Sequence, residues 1–124
     1  MAHKTPGLEE QQAKLAPLSS RYIDPESIPW VPSPFPGVEN KTLMQDPETG
    51  MQTVLTRMAP GAVLNDHMHV ELEQTWVLEG SLVDHEGEAK AGSFVFRPPG
   101  SRHTASAPHG ALLLGIFQKP NKFF

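Results

Sequence analysis

From Val38 onward the chain alternates short apolar runs with turn signals, the pattern of an all-β domain. Residues 38–44 form the first run, and Asp46-Pro47-Glu48-Thr49-Gly50 sets Pro and Gly where a tight turn wants them. The next strand, 52–58, carries β-branched Thr53, Val54 and Thr56, and Ala59-Pro60-Gly61 breaks it. Residues 75–78 read as a strand ended by Glu79-Gly80. Runs at 81–84 and 88–90 flank a turn at His85-Glu86-Gly87. The strand at 93–97 stops at Pro98-Pro99-Gly100, and 103–107 and 111–117 complete the series. About eight short strands predict a sandwich or a closed barrel. Trp76, Phe94 and Phe96 sit in these strands and are assigned to the core.

The region before Val38 is different. Residues 1–19 are polar and are expected to form a flexible tail; the choice for 7–15 is between a frayed helix and disorder, and disorder is preferred. Residues 20–37 form a proline-rich arm, since seven of the thirteen prolines lie between Pro6 and Pro36. Prolines this dense forbid a helix and a central strand alike. The arm's apolar side chains, among them Ile28, Trp30 and Phe35, need a surface. It is expected to pack on the barrel of residues 38–124 or to cross to a partner subunit.

The 124 residues suit one domain. With no cysteine, disulfides, thiolate zinc sites and a cysteine nucleophile are excluded, so a bound metal must rest on histidine and carboxylate. A formal net charge of -4, with the ten basic residues scattered, argues against a nucleic-acid surface. No stretch has the length of a transmembrane helix, and the first sixteen residues lack the apolar core of a signal peptide. A cytoplasmic protein is the expectation.

His67-Met68-His69 lies in an extended segment, where alternate side chains share a face, so its two imidazoles project together. Glu73 shares their parity if the chain stays extended, and His103 follows the Pro-Pro-Gly turn. Three nitrogens and one oxygen suit Fe(II), Mn(II), Ni(II) or Zn(II), with positions left for water or substrate. His85 and His109 fall in turns and are read as exposed, and His3 belongs to the tail. Asp66 and Glu71 are read as rim carboxylates, and Gln74, Arg57 and Arg102 as surface or barrel-mouth residues.

Gly61, His67, His69, Glu73 and Gly80 match G-x5-H-x-H-x3-E-x6-G, the first motif of the cupins, in every fixed position. Gly92, Pro98, Gly100 and His103 match the second, G-x5-P-x-G-x2-H-x3-N, whose final Asn is Ala107 here. At about one chance in twenty per position, five matches at one start are roughly a one-in-three-million event. The chain therefore resembles the cupin superfamily over roughly residues 38–117. Trp30 with Pro36-Gly37-Val38, the run Val77-Leu78-Glu79-Gly80, and Arg97-Pro98-Pro99-Gly100-Ser101-Arg102-His103 narrow the resemblance to ChrR-like cupins. That subgroup is similar to acetylacetone-cleaving and 2,4'-dihydroxyacetophenone dioxygenases and to the zinc-binding domain of ChrR anti-sigma factors.

The resemblance implies a small single-domain double-stranded β-helix, or jelly-roll barrel, holding one divalent metal ion per chain. His67, His69 and His103 would hold the ion, and Glu73 would either ligate it or hydrogen-bond beside it. The implied activity is an Fe(II)-dependent dioxygenase cleaving a small dicarbonyl or hydroxyketone, with Glu73 as the catalytic group. Two other readings use the same cage: a non-redox Zn or Mn isomerase, lyase or hydrolase, and a non-enzymatic zinc-binding sensory module. The expected partners are a small-molecule substrate and a second copy in a homodimer, with neither nucleic acid nor membrane.

Overall fold

The structure is a computed structural model and describes residues 3–124; Met1 and Ala2, part of the expected tail, lie outside the described residues. In chain order the elements are α1 (Glu9–Ala13), β1 (Val31–Pro32), β2 (Val38–Gln45), β3 (Gln52–Met58), β4 (Ala62–Met68), β5 (Glu73–Val83), β6 (Glu88–Lys90), β7 (Phe94–Arg97), β8 (Arg102–Ala107), β9 (Ala111–Phe117) and β10 (Lys122–Phe123). The strands form one curled sheet in the order β1-β2-β3-β9-β5-β8-β4-β10, with β6 and β7 also on β5. Every pairing is antiparallel. This is the small cupin barrel that the motifs imply. Among the described residues no helix is long and apolar enough to cross a membrane.

The strand β5 makes the barrel possible. Its first part pairs with β9 and β7, and its last residues pair with β6 and β8, so it passes from one face of the barrel to the other. Glu79-Gly80 does not end the strand, as the sequence suggests, but bends it. Gly80 has φ +70°, and the ladder to β9 shifts register between Val77 and Glu79. A Cβ at Gly80 would lie 2.0 Å from the Gly110 carbonyl oxygen, so no larger residue fits this crossing.

Alternation then fills the interior. Val38, Met58, Ala62, Val77, Leu82, Ala105, Ala107, Ala111 and Leu113 form the core, with Phe35, Leu64 and Ala89 packed against it. The aromatic assignment inverts. Trp76, Phe94 and Phe96 are 46%, 48% and 60% exposed, and they lie on the outer face of β5 and β7. The inward parity belongs to Thr75 and Val77 on β5, which are buried. Parity decides this, since Trp76 is the cross-strand partner of Phe94 and the inward positions of the two strands, Thr75 and Arg97 among them, line the interior cavity.

The proline-rich arm packs on its own barrel. Ile28 is buried, β1 pairs with the β2 edge, and Lys41 donates from Nζ to the Pro25 carbonyl at 2.7 Å. The Trp30 ring carries Lys41 and Arg57 against it, 4.7 and 4.3 Å from its centroid. Where the sequence reads a flexible tail, Lys4 bridges Gln45 and buried Thr5 donates to the Leu43 carbonyl at 2.6 Å. The Glu9–Ala13 helix follows directly.

Candidate metal centre

Three strand ends and one bulge build the site. His67 is in register with His103 across β4 and β8, while Leu64 pairs with Ala105. The β4 side thus advances one residue more than β8, which is a β-bulge. The extra residue switches parity. Leu64 and His67 both reach the interior, although strict alternation would send one of them outside. His69 lies just past β4, and its backbone N–H donates to the Ser101 carbonyl at 2.8 Å. The chain then bends at Val70 and Glu71 rather than staying extended, and Glu73 returns as the first residue of β5.

All three imidazoles are buried, and their ligand nitrogens lie within 4.8 Å of one another. Each Nδ1 faces an acceptor. For His67 this is the Asn65 carbonyl inside the bulge, at 2.7 Å. For His69 it is Ser101, whose carbonyl lies at 3.2 Å and whose Oγ, itself donating to Pro98, lies at 3.0 Å. For His103 it is the Asp84 carboxylate, at 2.7 Å. The acceptors place the proton of each ring on Nδ1, so each Nε2 turns a lone pair inward. Burial holds the His67 and His103 imidazoles below their ordinary pKa, which keeps the lone pairs available.

The lone pairs then converge. His103 Nε2 and His67 Nε2 are 3.0 Å apart. The Glu73 Oε2 oxygen lies 2.5 Å from His69 Nε2, yet both atoms are buried without an aligned hydrogen-bond partner. Acceptors facing acceptors in a buried place are costly unless a cation sits among them. The donor set therefore fits a divalent metal ion. The three imidazoles make the compact group, and Glu73 stands beside it, its other oxygen accepting from Thr75 Oγ1 at 3.1 Å.

A cavity of about 280 Å³ opens onto this cluster. His67, His103 and Glu73 line it together with Arg97, as do Phe35 and Phe123, whose ring centroids are 4.8 Å apart. Phe123 also lies against His67, 5.0 Å between centroids. It is held there by β10, which pairs with the end of β4.

Two residues at this site were missed by the sequence reading. The Asp84 side chain is 2% exposed, and it accepts from His103 Nδ1, from Arg97 Nη1 at 2.6 Å and from the backbone N–H groups of Glu86 and Gly87. Burial works to raise its pKa, but the His103 hydrogen bond, the backbone donors and Arg97 together bring it down to about 2. Arg97 is the second, and its inward parity was hidden by the assignment of Phe94 and Phe96 to the core. The other candidates stay outside. His85 and His109 are exposed, Arg57 pairs with Glu39 at 2.9 Å, and Asp66 pairs with Arg102 on the rim.

Comparison with known proteins agrees with this fold. No curated protein sequence matches the chain. Among solved structures it is similar to a putative acetylacetone dioxygenase from Methylibium petroleiphilum, with 21% identity, 89% of this chain and 84% of that one covered, and a TM-score of 0.80. An acetylacetone dioxygenase from Acinetobacter johnsonii gives 21% identity, 90% and 80% coverage, and a TM-score of 0.75. The anti-sigma ChrR of Rhodobacter sphaeroides, solved with SigE, gives 19% identity, 88% and 74% coverage, and a TM-score of 0.64. The family model of the ChrR cupin-like domain matches residues 18–121, and the chain belongs to that family.

Proposed function

We propose that the protein is a metal-dependent dioxygenase that cleaves a carbon–carbon bond in a small dicarbonyl or hydroxyketone. The observation that carries this reading is the inward convergence of three imidazole lone pairs at a cavity of about 280 Å³. A closed structural zinc site would have no such space beside it. The reaction class is drawn from the two neighbours described as acetylacetone dioxygenases.

His67, His69 and His103 would hold the ion through Nε2, each ring oriented by its Nδ1 contact. When bound, Fe(II) supplies Lewis acidity toward a chelating pair of substrate oxygens and the redox capacity to react with O2. Glu73 handles the proton. Thr75 ties down Oε1, and Oε2 faces the cluster, where it can accept the acidic proton that a 1,3-dicarbonyl gives up on becoming an enolate. The apolar part of the wall, with Leu64, Leu113 and Phe117, keeps bulk water from the enolate. In balance, one O2 and one 1,3-diketone give one carboxylic acid and one 1,2-dicarbonyl compound.

The test is an oxygen-electrode assay of iron-loaded protein with pentane-2,4-dione and a hydroxyacetophenone. One O2 consumed per substrate cleaved is the expected result. No uptake with any such compound, at one iron per chain, would leave the dioxygenase reading without support.

A further inference from the structure

We propose that Arg97 anchors an anionic oxygen of the substrate, so that the site takes a dicarbonyl compound that also carries a carboxylate. The dicarbonyl half rests on the reading above; the carboxylate half rests on Arg97.

Arg97 ends β7 and is the direct cross-strand partner of Glu73. Its side chain is 11% exposed and borders the cavity. Opposite charges so placed would ordinarily pair, but among the described residues no ion pair joins them. Glu73 turns to His69, and Arg97 turns to Asp84. The 2.6 Å bond from Nη1 to Asp84 Oδ2 fixes the guanidinium, and Asp84 is itself fixed by His103 and by two backbone N–H groups.

The rest of the guanidinium is uncommitted. Among the described residues no other acceptor meets its remaining N–H groups. These donors are not among the buried atoms left without a partner, so they reach the cavity or water, and a ligand carboxylate can take the place of that water. The planar fork suits a carboxylate in particular, because two parallel N–H groups can meet its two oxygens. The held orientation also means little side-chain entropy is lost on binding.

Size agrees with this occupant. A cavity of about 280 Å³ has the volume of roughly nine waters. A chelating dicarbonyl with one carboxylate, such as 2,4-dioxopentanoate, has about nine non-hydrogen atoms and matches that volume. Its diketone would face the three imidazoles, and its carboxylate would reach the wall that Arg97 supplies.

The experiment compares equilibrium binding of 2,4-dioxopentanoate, its neutral methyl ester and pentane-2,4-dione to zinc-loaded protein by calorimetry, so that turnover plays no part. In the native chain the acid should bind about tenfold or more tightly than the ester. Arg97→Gln should abolish that preference, so that acid and ester bind alike whatever happens to the affinity they share, with pentane-2,4-dione as the common reference. Arg97→Lys keeps the charge on Asp84 but loses the fork, and should cut the preference at least about threefold; it decides the matter if Arg97→Gln does not fold. An ester that binds as well as the acid overturns the proposal. So does a preference that survives intact in either folded variant. Oxygen uptake by the iron-loaded protein is read separately. Uptake without the acid preference sinks the anchor alone, whereas the preference without uptake sinks the dioxygenase reading alone.

Discussion

Replacing Asp84 by asparagine swaps one carboxylate oxygen for an amide nitrogen, and the geometry says that this change should disarm His103. Asp84 accepts from four donors: His103 Nδ1, Arg97 Nη1 and the backbone N–H groups of Glu86 and Gly87. An asparagine has one acceptor end. If its oxygen stays on the two backbone groups, its Nδ2 faces His103 and Arg97. A backbone N–H cannot shed its proton, but an imidazole can change tautomer. His103 would then carry its proton on Nε2 and lose the lone pair it turns toward His67. The loss of such a partner typically lowers metal affinity by about tenfold to a hundredfold.

The same substitution has a stability cost. The Asp84 carboxyl is held at about 2 against an ordinary 3.8. At ~1.4 kcal/mol per pKa unit the ceiling is about 2.5 kcal/mol of native-state stabilisation near neutrality, and solvent screening brings it to about 1 kcal/mol. Because the folded value is depressed, that contribution is full above pH ~4 and is lost as pH falls from there toward ~2. Zinc competition against a chromophoric chelator at pH 7 reads the first effect. Urea unfolding of metal-free protein from pH 7 to 3, with the native chain and Asp84→Asn compared at each pH, reads the second. The difference should be largest at pH 7 and should shrink in acid. A variant that binds zinc like the native chain and unfolds at the same urea concentration would refute the argument.

Three further outcomes follow from other parts of the structure. Gly80→Ala should destabilise by about 3 kcal/mol or more, through positive φ together with a Cβ set 2.0 Å from a backbone oxygen; a thermal melt within two degrees of the native chain would contradict the crossing described for β5. Phe123→Ala removes the ring that lies against His67 and Phe35, and should cost about 1–2 kcal/mol and speed zinc loss to a chelator; unchanged release would mean that the ring does not screen the site. The outer face of Trp76, Phe94 and Phe96 leaves roughly 300 Å² of aromatic surface in water, near the limit a monomer keeps open, and a second copy is its expected cover. Sedimentation at micromolar concentration should give twice the mass of one chain, reduced to one chain by Phe96→Glu; a monomeric native chain would sink this expectation.

Much of the barrel was legible because turn chemistry is local. Proline and glycine at 46–50, 59–61 and 98–100 set the strand ends, and β3 and β9 have the expected bounds. The four site residues were legible for a related reason. Their spacing falls within two short segments, and in a chain without cysteine a bound metal must rest on histidine and carboxylate. What decides whether those segments meet is a set of ladder registers, and no local signal carries these.

The errors about which side chains face the interior share one physical origin, which is parity. A strand has two faces, and a reading that lacks the partner strand must guess which face is inside from side-chain character. Bulk hydrophobicity argued that Phe94 and Phe96 point inward. That guess sends Val95 and Arg97 out, and so it concealed the guanidinium that borders the cavity. The opposite case is His67. Strict alternation from Leu64 would turn it outward, and the bulge between Leu64 and His67 brings it back. The bulge is recorded in no residue type, since Asn65 and Asp66 look like ordinary turn or rim residues. Its chemical sense appears when the strands are paired: the carbonyl of Asn65, displaced by the bulge, is the acceptor that sets the His67 tautomer at 2.7 Å. One inserted residue thus both aims the imidazole and orients its lone pair. Deleting Asn65 should therefore abolish metal binding while the barrel still folds, whereas Asn65→Ala, which keeps the carbonyl, should bind zinc as the native chain does. Equal loss of zinc in both would show that the Asn65 side chain, rather than the bulge, orders the site.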